Sequence, residues 1–109
     1  MSYKVVVADT FKRRAKHLNK KHASLKAEIG ELIDSLETEP IQGTPLGKDC
    51  YKIRMAISSK GKGKSGGARV IACVKVVRET VYLLSIFDKS EKSSLDDSEL
   101  DFLLAEAGL

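Results

Sequence analysis

Three strand-length runs crowd into residues 50–88: CYKIRMAI (50–57), ARVIACVKVV (68–77) and VYLLSIFD (81–88), each rich in Val, Ile or Tyr. Parallel neighbours need a crossover of about a dozen residues or more, usually a helix. The connections here are a glycine- and lysine-rich stretch and the tight link Arg78-Glu79-Thr80, and neither can supply one. The runs are therefore expected to pair as an antiparallel meander. In the first of them Lys52 and Arg54 alternate with Tyr51, Ile53 and Met55. A strand turns successive side chains to opposite faces, so both cations project from one face of the sheet while the apolar set meets the core.

The first half of the chain supplies what covers that sheet. YKVVVA (3–8) is a short β-branched run, and Asp9 and Thr10 behind it are good helix N-caps, so a strand feeding a helix is expected. From Phe11 the apolar period changes: Phe11, Ala15, Leu18, Leu25, Ile29, Leu32, Ile33 and Leu36 recur at three and four, with lysines and arginines on the other faces. Asn19 and Ser24 bracket a charged patch and Ser24 can cap a second helix, which predicts a helical hairpin broken around residues 19–24. Pro40 stops that helix by Glu39, and IQGTPLGKD (41–49) reads as a turn-rich loop. Asp96 with Glu99 three residues on, a Leu100, Leu103, Leu104 face, and Gly108 predict a short terminal helix. The expected class is α+β: an N-terminal strand and helical hairpin packed on a small, mainly antiparallel sheet, with a short C-terminal helix.

A chain of 109 residues, 42% of them hydrophobic, suits a single core, so residues 1–109 are read as one domain. No stretch approaches the roughly 18–20 apolar residues of a membrane span, and the start MSYKVVVADTF lacks the regions of a signal peptide. A cytoplasmic location with no membrane partner is the expectation. Cys50 and Cys73 lie in apolar strand contexts without Cys-x-x-Cys or Cys/His spacing, so they read as core thiols rather than metal ligands or a redox pair. The net charge of +4 is unevenly placed. Basic residues dominate 12–26 and again 48–78, where Asp49 is the sole acid, and the tail beyond is acidic. The first cluster reads as solvated helix faces, the second as a surface that meets a polyanion.

SSKGKGKSGGARVI (58–71) contains G-x-G-x-x-G, but a dinucleotide site needs that motif to open a helix, and here it opens a strand. Its Gly-Lys-Ser also ends like a P-loop, yet the position of the first P-loop glycine is Ser58 and again no helix follows. The segment is better read as a hairpin loop. Its glycines let backbone approach a ligand, while Lys60, Lys62 and Lys64 supply charge suited to phosphate; an exposed, solubilising loop is the plainer reading.

A meander can bring Lys52, Arg54, Arg69 and Lys89 to one concave face. Cations so crowded repel one another unless an anion visits, either RNA phosphate or the acidic surface of a protein partner. The RNA chemistry this cluster suits is attack of a 2′-hydroxyl on the adjacent phosphate, with no metal or other cofactor. Arginine can hold the developing negative charge, and a lysine crowded by other cations gives up its proton more readily. His17 and His22 lie on the helical region, away from this face.

DCYKIR (49–54), KGKSGGARVI (62–71) and YLLSIFDKSEKSSL (82–95) resemble the RelE/HigB toxins of bacterial type II toxin-antitoxin systems, in the branch with a K-S-G-G-x-R-V-I signature. The similarity runs through nearly the whole chain. It implies a ribosome-dependent mRNA endonuclease that cuts codons in the ribosomal A site, with the ribosome and mRNA as partners. It also implies a cognate antitoxin, commonly a helix-turn-helix protein encoded beside it. The resemblance carries Lys52 and Arg54 onto the family's basic strand positions, Arg69 onto the arginine that grips the scissile phosphate, and Lys89 onto the basic residue after the last strand. With these as catalytic residues, Lys60, Lys62, Lys64, Phe87 and Lys92 are expected to hold RNA. Many relatives have an aromatic after R-V-I and another near the C-terminus; here those places hold Ala72-Cys73 and Leu95, which leaves Phe87 as the stacking ring. A ParE-like gyrase inhibitor, which needs no catalytic cluster, and a binding relic of the same fold are the competing readings.

Overall fold

The computed structural model describes residues 2–61, 63, 66–92 and 94–109. In chain order the elements are β1 (Lys4–Val7), α1 (Asp9–Lys21), α2 (Leu25–Thr38), β2 (Thr44–Gly47), β3 (Cys50–Met55), a short 3₁₀ turn (Ser58–Lys60), β4 (Ala68–Lys75), β5 (Thr80–Asp88) and α3 (Asp97–Glu106). Helix α1 starts one residue earlier than its capping signals predict, because extended Ala8 takes the N-cap position and Asp9 enters the first turn. An acid there still complements the positive helix end. The hairpin break is confined to residues 22–24. Ser24 stands at the N-cap of α2 without capping it: its hydroxyl hydrogen-bonds Glu28 Oε1 and Ser59 Oγ, each at 3.0 Å. At α3 the expected capping box forms, with Asp96 accepting from the Glu99 N–H and the Glu99 carboxylate accepting from the Asp96 N–H.

The strands make one five-stranded sheet in the order β1-β5-β4-β3-β2. Among the described residues only β1 with β5 is parallel; β2–β3, β3–β4 and β4–β5 are antiparallel, so the meander forms as expected. The loop reading of residues 41–49 needs correction, since Thr44–Gly47 pairs with β3 as an edge strand. Proline is tolerated there because an edge strand need not donate on its outer side. The β3 and β4 strands end before the runs that announce them, at Met55 and Lys75.

Helices α1 and α2 cover one face of the sheet, where Phe11, Leu18, Leu25 and Leu36 pack with Ile53, Met55, Val70, Ala72, Val81 and Ile86. α3 covers part of the other, through Leu100 and Leu103 on Cys50, Ile71, Cys73 and Leu84. The cysteines are both buried, as core thiols should be, and the register sets them directly opposite one another, which their sequence spacing did not signal. Buried Gly67, just before β4, lies against the end of β3, where a Cβ would stand 2.1 Å from the Met55 carbonyl oxygen. Gly67→Ala is expected to destabilise the protein by about 1–3 kcal/mol through the backbone shift it forces. A lowered urea midpoint with an unchanged m-value would show it, and an unchanged midpoint would refute it.

Candidate active site

The antiparallel register lines up one row across the middle of the sheet: Arg54 on β3 opposes Arg69 on β4, which opposes Phe87 on β5. One step along lies a second row of Lys52, Ile71 and Ser85. Strand alternation puts these side chains on the α3 side, since Ile53, Met55, Val70 and Ile86 belong to the helical-hairpin core. A bulge in β5 preserves this. Ile71 pairs with Ser85 but Ala72 with Leu83, so Leu84 is an extra residue.

Within the row Arg54 is exposed and Arg69 only 4% exposed. The Arg69 guanidinium donates from Nη1 to the Ala68 carbonyl at 3.1 Å. Burial, and then the positive charge of Arg54, lower its pKa. Arginine stays charged despite such a shift. The arrangement is therefore a fixed, largely desolvated cation with a second cation beside it, which favours an incoming anion. Lys52 is half-buried, and Lys89 is exposed just past the end of β5. The fold thus gathers Lys52, Arg54 and Arg69, with Lys89 at the margin.

The residues expected to hold RNA are scattered differently. Phe87 joins the row but is only 7% exposed. Lys92 is ion-paired with Glu99. Lys62 and Lys64 lie outside the described residues. Lys60 is the clearest departure from expectation: its ammonium sits 2.7 Å from Asp88 Oδ1, and its side chain is 12% exposed. Asp88 pairs across with Ala68, on the helical-hairpin side, so Lys60 is committed to an ion pair away from the arginine row. His22 Nε2 lies 3.1 Å from the other Asp88 oxygen, and the Ser90 N–H and hydroxyl donate to Oδ1. The 3₁₀ turn is tied down as well. Glu28 Oε2 accepts from the Ser58 N–H at 2.7 Å and from its hydroxyl at 2.6 Å. Burial opposes charge on Glu28, but these bonds and that from Ser24 outweigh it and hold its pKa below the usual value. Ser58 is thus anchored to Glu28 on α2, Ser59 to Ser24 at the N-cap of α2, and Lys60 to Asp88 on β5.

Sequence reasoning missed Arg13 and Arg14, which it assigned to a solvated helix face. Both line hollows against Phe87. The only local signal was a basic pair one turn after the start of α1, and nothing in it pointed to β5. Among the described residues no three of His, Cys, Asp and Glu cluster as a metal site, and no helix is long and apolar enough to cross a membrane.

The family model described as the RelE toxin of the RelE/RelB toxin-antitoxin system matches residues 3–108. The chain belongs to the RelE toxin family. Solved structures carry the same RelE fold. An arginine-to-alanine double mutant of the E. coli toxin RelE in the free state is 17% identical, with a TM-score of 0.59 over 99% of this chain and 96% of that one. The isolated E. coli RelE toxin is 16% identical, with a TM-score of 0.58 over 95% and 98%. A chain of the RelBE2 toxin-antitoxin complex from Mycobacterium tuberculosis is 21% identical, with a TM-score of 0.61 over 81% of this chain and 92% of that one.

Proposed function

We propose that residues 1–109 act as one HigB/RelE-type mRNA interferase domain, a ribosome-dependent endoribonuclease that blocks translation. The observation that carries this reading is the Arg54–Arg69–Phe87 row with Lys52 one step along, in a member of the RelE toxin family. Arg69 and Arg54 hold the scissile phosphate and stabilise the charge that builds on its oxygens. Lys52, in its neutral form, accepts the proton of the 2′-hydroxyl. That oxygen attacks phosphorus, the bond to the 5′-oxygen breaks and the departing oxygen takes a proton from water, leaving a 2′,3′-cyclic phosphate and a 5′-hydroxyl end. Lys89 and the loop residues Lys62 and Lys64 hold flanking RNA. No metal or other cofactor is called for. The family model, described as the toxin of a toxin-antitoxin system, supports a cognate antitoxin as the regulator; its gene beside this one and a cytoplasmic site of action belong to the same proposal.

The test is inducible expression with mapping of mRNA ends, repeated with purified protein and translating ribosomes. New ends phased to codons on translated messages, and none on the same RNA without ribosomes, are expected. Growth arrest without such ends would sink the nuclease reading, and inhibition of gyrase supercoiling would replace it.

A further inference from the structure

β1 pairs with β5 only as far as Leu83, and beyond that point α1 faces the same edge of β5. Between α1, β5 and α3 this leaves a hollow of about 360 Å³, with Arg13, Arg14, Ser85, Phe87, Phe102 and Leu103 in its walls. That volume lies within the range of small-ligand sites. The β5 bulge matters here, because the extra residue keeps Leu84 in the α3 contact while Ser85 turns to the hollow. Ser85 is only 4% exposed, and among the described residues its hydroxyl makes no hydrogen bond. No fully buried side-chain polar atom there lacks a partner, so this hydroxyl must reach the space of the hollow.

The walls are chemically sorted. Phe87 contributes a ring at the base, and Phe102, one of few exposed large apolar residues at 63%, contributes another at the rim. Neither Arg13 nor Arg14 has an ion-pair partner among the described residues; Arg13 makes a 3.5 Å hydrogen bond to Thr10 Oγ1. Glu99 also lines the hollow, but Lys92 meets its charge. An adjoining hollow shares Arg13, Arg14 and Phe87 but is lined by neither Ser85 nor Phe102. Aromatic faces, a buried hydroxyl and unneutralised guanidinium groups in one cavity suit a planar polar ring attached to an anion.

We propose that this hollow takes a single nucleotide of the RNA strand, next to the one held on the Arg54–Arg69 row, so that it reads the base beside the cut. The base stacks on the Phe87 and Phe102 rings, Ser85 hydrogen-bonds its edge, and Arg13 and Arg14 hold its phosphate. Phe87 belongs to both the row and the hollow, which makes consecutive nucleotides the natural occupants. This inference rests on the RNA-cleaving reading above.

The test titrates the full-length protein with a labelled 2′-O-methyl RNA trinucleotide, which cannot undergo 2′-attack, and compares Phe102→Ala and Arg14→Ala with wild type. Both residues are exposed, so both variants should keep the wild-type melting temperature. Each is expected to weaken binding about tenfold, the scale of one base–aromatic contact. Phe102→Ala should also flatten the base preference next to mapped cleavage sites. Unchanged affinity and preference in variants that still cleave translated message would overturn the subsite and leave the nuclease reading standing. Trinucleotide binding that depends on both residues, in a protein that never cleaves, would do the reverse. Weakened antitoxin capture with RNA binding intact would make the hollow a protein-docking site and also overturn the proposal.

Discussion

Arg69→Ala is expected to slow cleavage of translated message by about 100-fold and to relieve growth arrest accordingly. Removing one preordered donor from a site of developing negative charge typically costs about 10²–10³ in rate. Arg69 suits such a role because it is nearly buried on a central strand, where its orientation is set before substrate arrives. A low local dielectric also strengthens its pull on a phosphoryl oxygen. Arg69→Lys keeps the charge but loses the planar fork that can meet two oxygens at once, so it should recover only part of the rate. A trivial explanation through unfolding is separable. Melting temperatures of Arg69→Ala and the volume-preserving Arg69→Met are compared with wild type, and both variants are expected to stay folded at the assay temperature while lacking most of the activity. Full toxicity in Arg69→Ala, with wild-type cleavage ends, would take this residue out of the mechanism.

Asp88→Ala is expected to be the most damaging substitution for stability, at about 3–5 kcal/mol, because it leaves the Lys60 ammonium buried without its partner. At this chain length that corresponds to a loss in melting temperature on the order of 15 °C or more. Adding Lys60→Met should recover much of the loss, since replacing both members of a buried pair by apolar groups is often neutral. If the double variant were no better than the single, the cost would have to lie elsewhere. The same carboxylate predicts an acid limb. Burial alone would raise the Asp88 pKa, but hydrogen bonds from Lys60, Ser90 and His22 outweigh it and hold it far below the usual carboxylate range. A depressed folded-state pKa stabilises the protein fully above the unfolded value of about 3.9, and that stabilisation is lost as pH falls towards the folded value. The stability gap between wild type and Asp88→Ala should therefore be flat from about pH 5 to 7 and shrink below about pH 4. A gap that persists at low pH would refute the ionic account.

The elements most legible in the sequence are those whose signals are local. The switch at Phe11 from a β-branched run to three-and-four spacing marked α1, and the Asp96-to-Glu99 spacing marked α3 down to its capping box. Short connections alone required the antiparallel meander, and with it the chance that Arg54, Arg69 and Phe87 share a row. β2 escaped because Thr-Pro-Leu-Gly has turn chemistry; it is a strand only because the edge of β3 offers a ladder.

Lys60 shows where local reasoning ends. In sequence it is one of several loop lysines suited to phosphate, yet its partner Asp88 is 28 residues away, and His22, on the far side of that carboxylate, is 66 away from it. Arg13 and Arg14 likewise look like solvated helix charges until α1 is laid along the edge of β5 that β1 leaves uncovered. Periodicity and spacing depend on a few neighbouring residues, which is why most elements, the antiparallel meander and the candidate cations are legible along the chain. Which charges meet depends on register, strand order and the packing of helices on each face, and these are set by the chain as a whole. It is that packing which buries Arg69 beside Arg54, ties Lys60 to Asp88 and opens a cavity beside Phe87.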